Sequence, residues 1–104
     1  MIVVLTIIFR VNTINPMRIT FDLAKDSANV EKHGSSLALA RDLEWGGAVT
    51  WPDSRRDYGE ARQCGIGYIG ARLYFVSFVD RGTERRVISL RKANLREVKR
   101  YASA

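Results

Sequence analysis

Glu-Arg-Arg-Val-Ile-Ser-Leu-Arg-Lys-Ala-Asn-Leu-Arg-Glu-Val-Lys-Arg-Tyr, residues 84–101, sets a strand and a helix back to back. Val87, Ile88 and Leu90 are β-prone and mostly apolar, which predicts the strand. Asn94 offers an acceptor to the free N–H groups of a first helical turn. Leu95, Val98 and Tyr101 recur at helical spacing, which predicts the helix. Charge is concentrated in the same region. Residues 81–101 hold eight Lys or Arg against two Glu. The nine basic and nine acidic residues elsewhere cancel, so this segment carries the whole formal charge of +6. A basic strand feeding a basic helix could receive a polyanion; the other reading is a solvated face on a terminal helix.

Working outward, 104 residues predict one domain, long enough to bury a core without staples. A single cysteine, Cys64, excludes an intrachain disulfide and a Cys-based zinc site. With one histidine as well, a Cys/His nucleophilic pair is disfavoured. No run reaches the roughly 18 apolar residues that span a bilayer. The apolar run at 1–9 lacks the positive n-region and cleavage site of a signal peptide. It fits an extra strand, a weak export signal, or sequence upstream of a misplaced start. Met17 directly after Pro16 favours the last. Residues 1–16 are therefore read as an N-terminal extension and 17–104 as the domain.

Within 17–104 the pattern predicts a strand over 18–21, then Asp22 as N-cap of a helix over 23–33 closed by Gly34. Ser35 or Ser36 caps a second helix running to about Trp45, with Leu37, Ala40 and Leu43 as its buried stripe. Strands follow over 48–51, 60–69 and 72–79. The last of these is apolar on both faces and therefore central. Asp80-Arg81-Gly82 turns the chain into the strand that opens the 84–101 stretch. The expected order is β-α-α-β-β-β-β-α. This is an α+β fold with a small antiparallel sheet and helices packed on it.

The chemistry-bearing residues cluster in two places. Asp57-Tyr58-Gly59-Glu60 with Arg62 puts a carboxylate, a phenol and a guanidinium at the mouth of a strand. A positioned carboxylate accepts a proton and an arginine forks onto two phosphate oxygens; a surface ion pair beside a turn tyrosine is the other reading. In the last strand, alternation puts Arg85, Val87, Ser89 and Arg91 on one face and Arg86, Ile88 and Leu90 on the other. Arg86 either pairs with Asp57 or Glu60 or lines a phosphate pocket. Lys32 and His33 close the first helix. His33 is a capping group or a proton carrier, the only side chain here with an unperturbed pKa near neutrality. Cys64 reads as a small buried hydrophobe. No P-loop, dinucleotide fingerprint or metal-ligand cluster is present, so no cofactor or metal is expected.

Three groups of residues resemble one known family. Phe21-Asp22, Ala24-Lys25, Asn29 and Glu31-Lys32-His33-Gly34 resemble the opening of the BrnT toxin family. Asp57-Tyr58-Gly59-Glu60 with Arg62 and then Ile66-Gly67 resembles its middle motif. Arg86-Val87-Ile88-Ser89, Arg91-Lys92-Ala93, Glu97 and Tyr101 resemble its closing motif. The chain departs at Leu23, Ala28 and Arg56, where the family usually has proline, tryptophan and histidine, and it lacks the family's Phe-Glu-Glu-Ala wording in the second helix.

The resemblance covers residues 17–101. It implies a RelE-like fold and a type II toxin that is a metal-independent endoribonuclease acting on mRNA in the bacterial cytoplasm. It also implies neutralisation by a BrnA-like antitoxin whose other domain binds DNA, with operator DNA reached only through that antitoxin and no membrane involved. RNA supplies its own 2′-OH nucleophile, so positioning, a base and charge stabilisation suffice. The expected catalytic residues are Glu60, Arg62, Arg86 and His33, with Glu60 or His33 as proton acceptor. Lys32, Tyr58, Arg91 and Lys92 are expected to bind substrate. The alternatives are a non-catalytic basic nucleic-acid-binding module and an antitoxin-interacting protein without activity on the same fold.

Overall fold

The computed structural model describes residues 17–104; the expectations for 1–16, including the apolar run at 3–9, lie outside the described residues. Strand β4, Arg72–Arg81, is the middle of a five-stranded sheet, as its two-sided apolar sequence requires. The strands are β1 Arg18–Thr20, β2 Val49–Pro52, β3 Arg62–Ile69, β4 and β5 Glu84–Lys92, in the spatial order β1-β5-β4-β3-β2. From β2 to β5 the chain is an antiparallel meander, with tight turns at Gly70 and Gly82, both in the left-handed region. The sheet is not wholly antiparallel. β1 pairs with β5 in parallel, Arg18 opposite Glu84 and Thr20 opposite Arg86. Turn chemistry specifies only neighbouring strands, so this pairing across 66 residues was not legible in the sequence.

Helix α1, Leu23–His33, begins and ends at the expected caps. Asp22 accepts the Lys25 N–H at 3.0 Å, and Gly34 closes the helix at φ 75. The expected second α-helix is absent. A 3-10 helix, Leu37–Asp42, replaces its body and a separate 3-10 turn, Trp45–Gly47, its end. Leu37, Ala40 and Leu43 are buried as expected, but their spacing is three, the period of a 3-10 helix. Three hydrogen bonds from outside the segment hold that form. Asp26 Oδ1 accepts from the Ser36 hydroxyl and the Leu37 N–H, and the Glu44 N–H donates to Tyr68 O at 2.9 Å.

These elements cover one face of the sheet. Leu37, Ala40 and Leu43 pack there with Val76, Phe78, Val87 and Leu90. Gly67 admits Leu43: a Cβ at that position would stand 2.7 Å from Leu43 Cδ2. The second face carries Cys64, Ile66, Leu73, Phe75 and Ala93, covered by Val98 and Tyr101 of the closing helix α2, Leu95–Ala102. Asn94 and Glu97 form a reciprocal capping box at its start. Leu95, expected in the buried stripe, is 69% exposed instead.

The strict alternation expected in β5 fails at one point. Ser77 pairs with Ser89 but Phe78 pairs with Val87, so Ile88 is an extra residue in a bulge. Past the bulge the faces exchange. Leu90 joins Val87 and Arg85 on the α1 face, while Arg86, Ser89 and Arg91 share the α2 face, in register with Val79, Ser77 and Phe75. Beyond the bulge β5 has no β1 partner, and Asn29 of α1 takes that place. Its amide accepts from the Leu90 N–H (3.1 Å) and donates to Leu90 O and Ser35 O (both 2.8 Å), in a site only 5% exposed.

Two stability outcomes follow from this packing. Asn29→Ala leaves buried backbone groups of Leu90 and Ser35 without a partner and should cost at least about 2 kcal/mol. Calorimetry should then show Tm falling by roughly 8–16 °C. Gly67→Ala should cost about 1–3 kcal/mol by overpacking against Leu43; an unchanged urea midpoint would mean that Leu43 moves aside freely.

Candidate functional site

The α2 face of the sheet is left open at the end where β3 begins and β5 starts. The loop from β2 to β3 shapes that opening. Asp53 is buried, its side chain 1% exposed. Its N–H donates to Arg62 O at 2.8 Å and closes the base of the loop. Its carboxylate accepts a forked pair from Arg55 (2.8 and 2.7 Å), the Arg55 N–H (3.2 Å) and the Tyr58 hydroxyl (3.1 Å). The Arg55 bonds hold the Asp53 carboxyl well below the usual carboxylate range, against the opposing effect of burial. Asp57 accepts the Gly59 N–H at 2.9 Å, and Gly59 takes φ 74, so those two residues serve the turn. Tyr58, tied by its hydroxyl to Asp53, then presents its ring to Arg62, whose guanidinium carbon lies 3.9 Å from the ring centroid.

Glu60 stands at the centre of the opening, held by three arginines. Its carboxylate accepts from Arg62 (3.3 Å), Arg81 (3.1 Å) and Arg86 (3.5 Å). The hydrogen bond from Arg62 lowers its pKa, partly offset by burial and reinforced by the charges of Arg86 and Arg62 and the bond from Arg81. The ion pairs on Arg62 and Arg86 use only their terminal nitrogens. The Nε of each is buried and has no partner among the described residues. Two guanidinium groups with unpaired Nε–H groups, around a single carboxylate, form a cationic socket.

The structure therefore brings together Tyr58, Glu60, Arg62 and Arg86. Arg86 pairs with Glu60 rather than Asp57. Arg91 shares their face but lies further along it. It forks onto Glu97 (2.8 Å twice) and its guanidinium lies 4.4 Å from the Phe75 ring centroid. Burial opposes ionisation of Glu97, and the Arg91 bonds, the Asn94 N–H and nearby arginine charge outweigh it, leaving its pKa lowered. Lys32 and His33 line a separate shallow cleft at the β5 edge with Lys25, Asn29, Ile88 and Ser89. Desolvation, then the charges of Lys32 and Arg91, push the His33 pKa down. Lys92 pairs in register with Tyr74, which puts it on the opposite face from Arg62 and Arg86.

Two participants were missed by sequence reasoning. Arg81 looked like a turn residue, but β4 runs through it. Asp53 lies in the loop after the strand expected over 48–51; only the fold shows that it is the buried anchor of that loop. Among the described residues no group of three or more His, Cys, Asp or Glu side chains is placed to hold a metal ion. No helix among them is long and apolar enough to cross a membrane.

Comparison with known proteins adds to this geometry. Residues 21–97 match the family described as ribonuclease toxin, BrnT, of type II toxin-antitoxin system. No curated protein matches the sequence. Among solved structures, the chain is similar to the Brucella abortus ribonuclease toxin BrnT, known from a crystal structure at 1.1 Å resolution. The two are 32% identical with a TM-score of 0.59, over 75% of this chain and 97% of that one. The shared mixed α+β fold, the identity and the family match across most of the sequence lead to one conclusion: this chain belongs to the BrnT family of ribonuclease toxins of type II toxin–antitoxin systems.

Proposed function

We propose that this chain is the toxin of its pair: a RelE-like, metal-independent endoribonuclease that cleaves mRNA in the bacterial cytoplasm and thereby inhibits translation. The observation that carries the proposal is the socket around Glu60. Arg62, Arg81 and Arg86 converge on one carboxylate at the open end of the sheet, and the Nε–H groups of Arg62 and Arg86 are unspent.

In this reading the scissile phosphate replaces the carboxylate between Arg62 and Arg86. Their forks bind its non-bridging oxygens, and Arg81 adds charge at the rim. Stabilisation of this kind grows as negative charge builds on those oxygens in the transition state. Glu60, released from its arginines, is then free to take the proton of the attacking 2′-OH. The new bond joins the 2′ oxygen to phosphorus, the bond from phosphorus to the 5′ oxygen breaks, and solvent protonates the departing oxygen. The products carry a 2′,3′-cyclic phosphate and a 5′-OH. Tyr58 fixes the plane of Arg62, and its own hydroxyl is committed to Asp53. Arg91 and Lys32 extend the positive field along the strand leaving the socket. Lys92, on the other face, has no part in the proposal. A BrnA-like antitoxin with a DNA-binding domain covers the site, and operator DNA is contacted through it.

Purified protein should cleave RNA in EDTA and leave cyclic phosphate ends. Arg62→Ala should lower kcat/KM by about 10²–10³-fold, the usual cost of removing one charge-stabilising donor, and should abolish growth arrest on expression in bacteria. RNA binding without cleavage by the intact protein would instead leave a non-catalytic module.

The pH profile separates the two candidate bases. Glu60 in the free protein has a lowered pKa and is ionised throughout the neutral range. With Glu60 as base, kcat/KM should stay flat from pH 8 down to about 5 and decline only below the usual glutamate range near 4.3. An acid limb below the ordinary histidine value of 6.5 that disappears in His33→Gln would transfer the role to His33.

A further inference from the structure

A groove opens on the same sheet face as the socket, one step further along β3. It has a volume of about 290 Å3. Cys64 and Phe75 lie in its lining, with Trp51 on the β2 side and Arg91, Arg96 and Arg100 on the α2 side. Three features of this lining point to one class of ligand. Arg100 lies over Trp51, its guanidinium carbon 3.6 Å from the ring centroid, so a cation backed by an indole is offered. A second such pair stands opposite, Arg91 against Phe75 at 4.4 Å. The volume is close to the lower bound of about 300 Å3 for small-ligand sites, enough for one base with its sugar but not for a folded peptide segment.

Position makes the same point. Arg62 of the socket and Cys64 of the groove are two residues apart on one face of β3, about 6.6 Å. That span is comparable with one nucleotide step along an extended strand. Arginines in the lining outnumber its single carboxylate, Glu97, which is already occupied by Arg91. A flat, electron-rich ring attached to a phosphate would stack on a guanidinium plane and complete the charge.

We infer that the groove between β2, β3 and α2 is a nucleotide subsite, in which the base flanking the cleaved phosphate stacks on the Arg100–Trp51 pair. The inference rests on the ribonuclease reading for its role in cleavage. Base binding in the groove is measurable on its own.

The binding test uses the full chain carrying Trp45→Phe, which leaves Trp51 as its only tryptophan. Titration with a 2′-O-methyl hexanucleotide, which has no nucleophile, should quench Trp51 fluorescence. Adding Arg100→Gln should weaken that binding about tenfold. Arg100 is exposed, so this variant should keep the fold, as circular dichroism would verify. The cleavage test uses wild-type protein and Arg100→Gln with RNA hexamers carrying one abasic residue at each position in turn. Removing one base next to the cleaved bond should raise KM about tenfold in the wild type and have little further effect in Arg100→Gln, because the two changes delete the same contact. Equal abasic penalties in both proteins at every position would overturn the inference. So would hexamer binding without any change in Trp51 emission, or quenching by an acidic partner peptide but not by RNA. Quenching and its loss in Arg100→Gln, in a protein that cleaves no RNA, would uphold the subsite and sink the ribonuclease reading alone.

Discussion

The side-chain amide of Asn29 is the contact on which the rest of this molecule depends. Strand β5 needs a neighbour along its whole length, and β1 is too short to supply one. Past the bulge at Ile88, Asn29 offers a donor and an acceptor to the peptide of Leu90 and so does the work of an absent strand. Its third bond, to Ser35 O, ties the end of α1 to the start of the 3-10 segment. One buried side chain thus joins helix, turn and sheet. A buried amide of this kind favours one arrangement because every alternative strands its polar groups away from water.

The bulge that Asn29 secures also decides the electrostatics of the surface. Without it, Arg86 and Arg91 would point to opposite faces. With it they share the face that carries Arg62 and Cys64, and basic side chains line one side of the sheet from the socket to α2. The other side is occupied by Arg85, which forks onto Asp80 and stacks against Trp45 and Phe78, and so serves packing. A one-residue insertion therefore brings Arg91 onto the face of Arg86 and leaves Arg85 on the other.

The socket illustrates a balance between preparation and availability. Arginines brought close together repel, and Glu60 offsets that repulsion. The carboxylate is weakly held at 3.1–3.5 Å, longer than the 2.7–2.8 Å forks on Asp53, Asp80 and Glu97 elsewhere. The pairs on Asp53, Asp80 and Glu97 are tight, while those at the opening are longer and share one carboxylate among three arginines. Asp53 makes no bond to the three arginines around Glu60. It is buried beneath the loop, where it holds Tyr58 under Arg62.

Local chemistry was legible in the sequence. Asp22, Gly34 and Asn94 announced helix ends because capping is settled within a few residues. The two-sided apolar run in β4 marked a central strand, and Glu60 beside Arg62 marked an ion pair. The stripe of Leu37, Ala40 and Leu43 was read correctly as buried but assigned to the wrong helix, since the Asp26 and Tyr68 bonds that tighten it come from distant parts of the chain. The parallel pairing of β1 with β5, the bulge at Ile88, the role of Asp53 and the entry of Arg81 into the socket were decided by tertiary structure alone. Each depends on groups brought together across long stretches of chain, where hydrogen-bond satisfaction and packing set the outcome and no local preference encodes it.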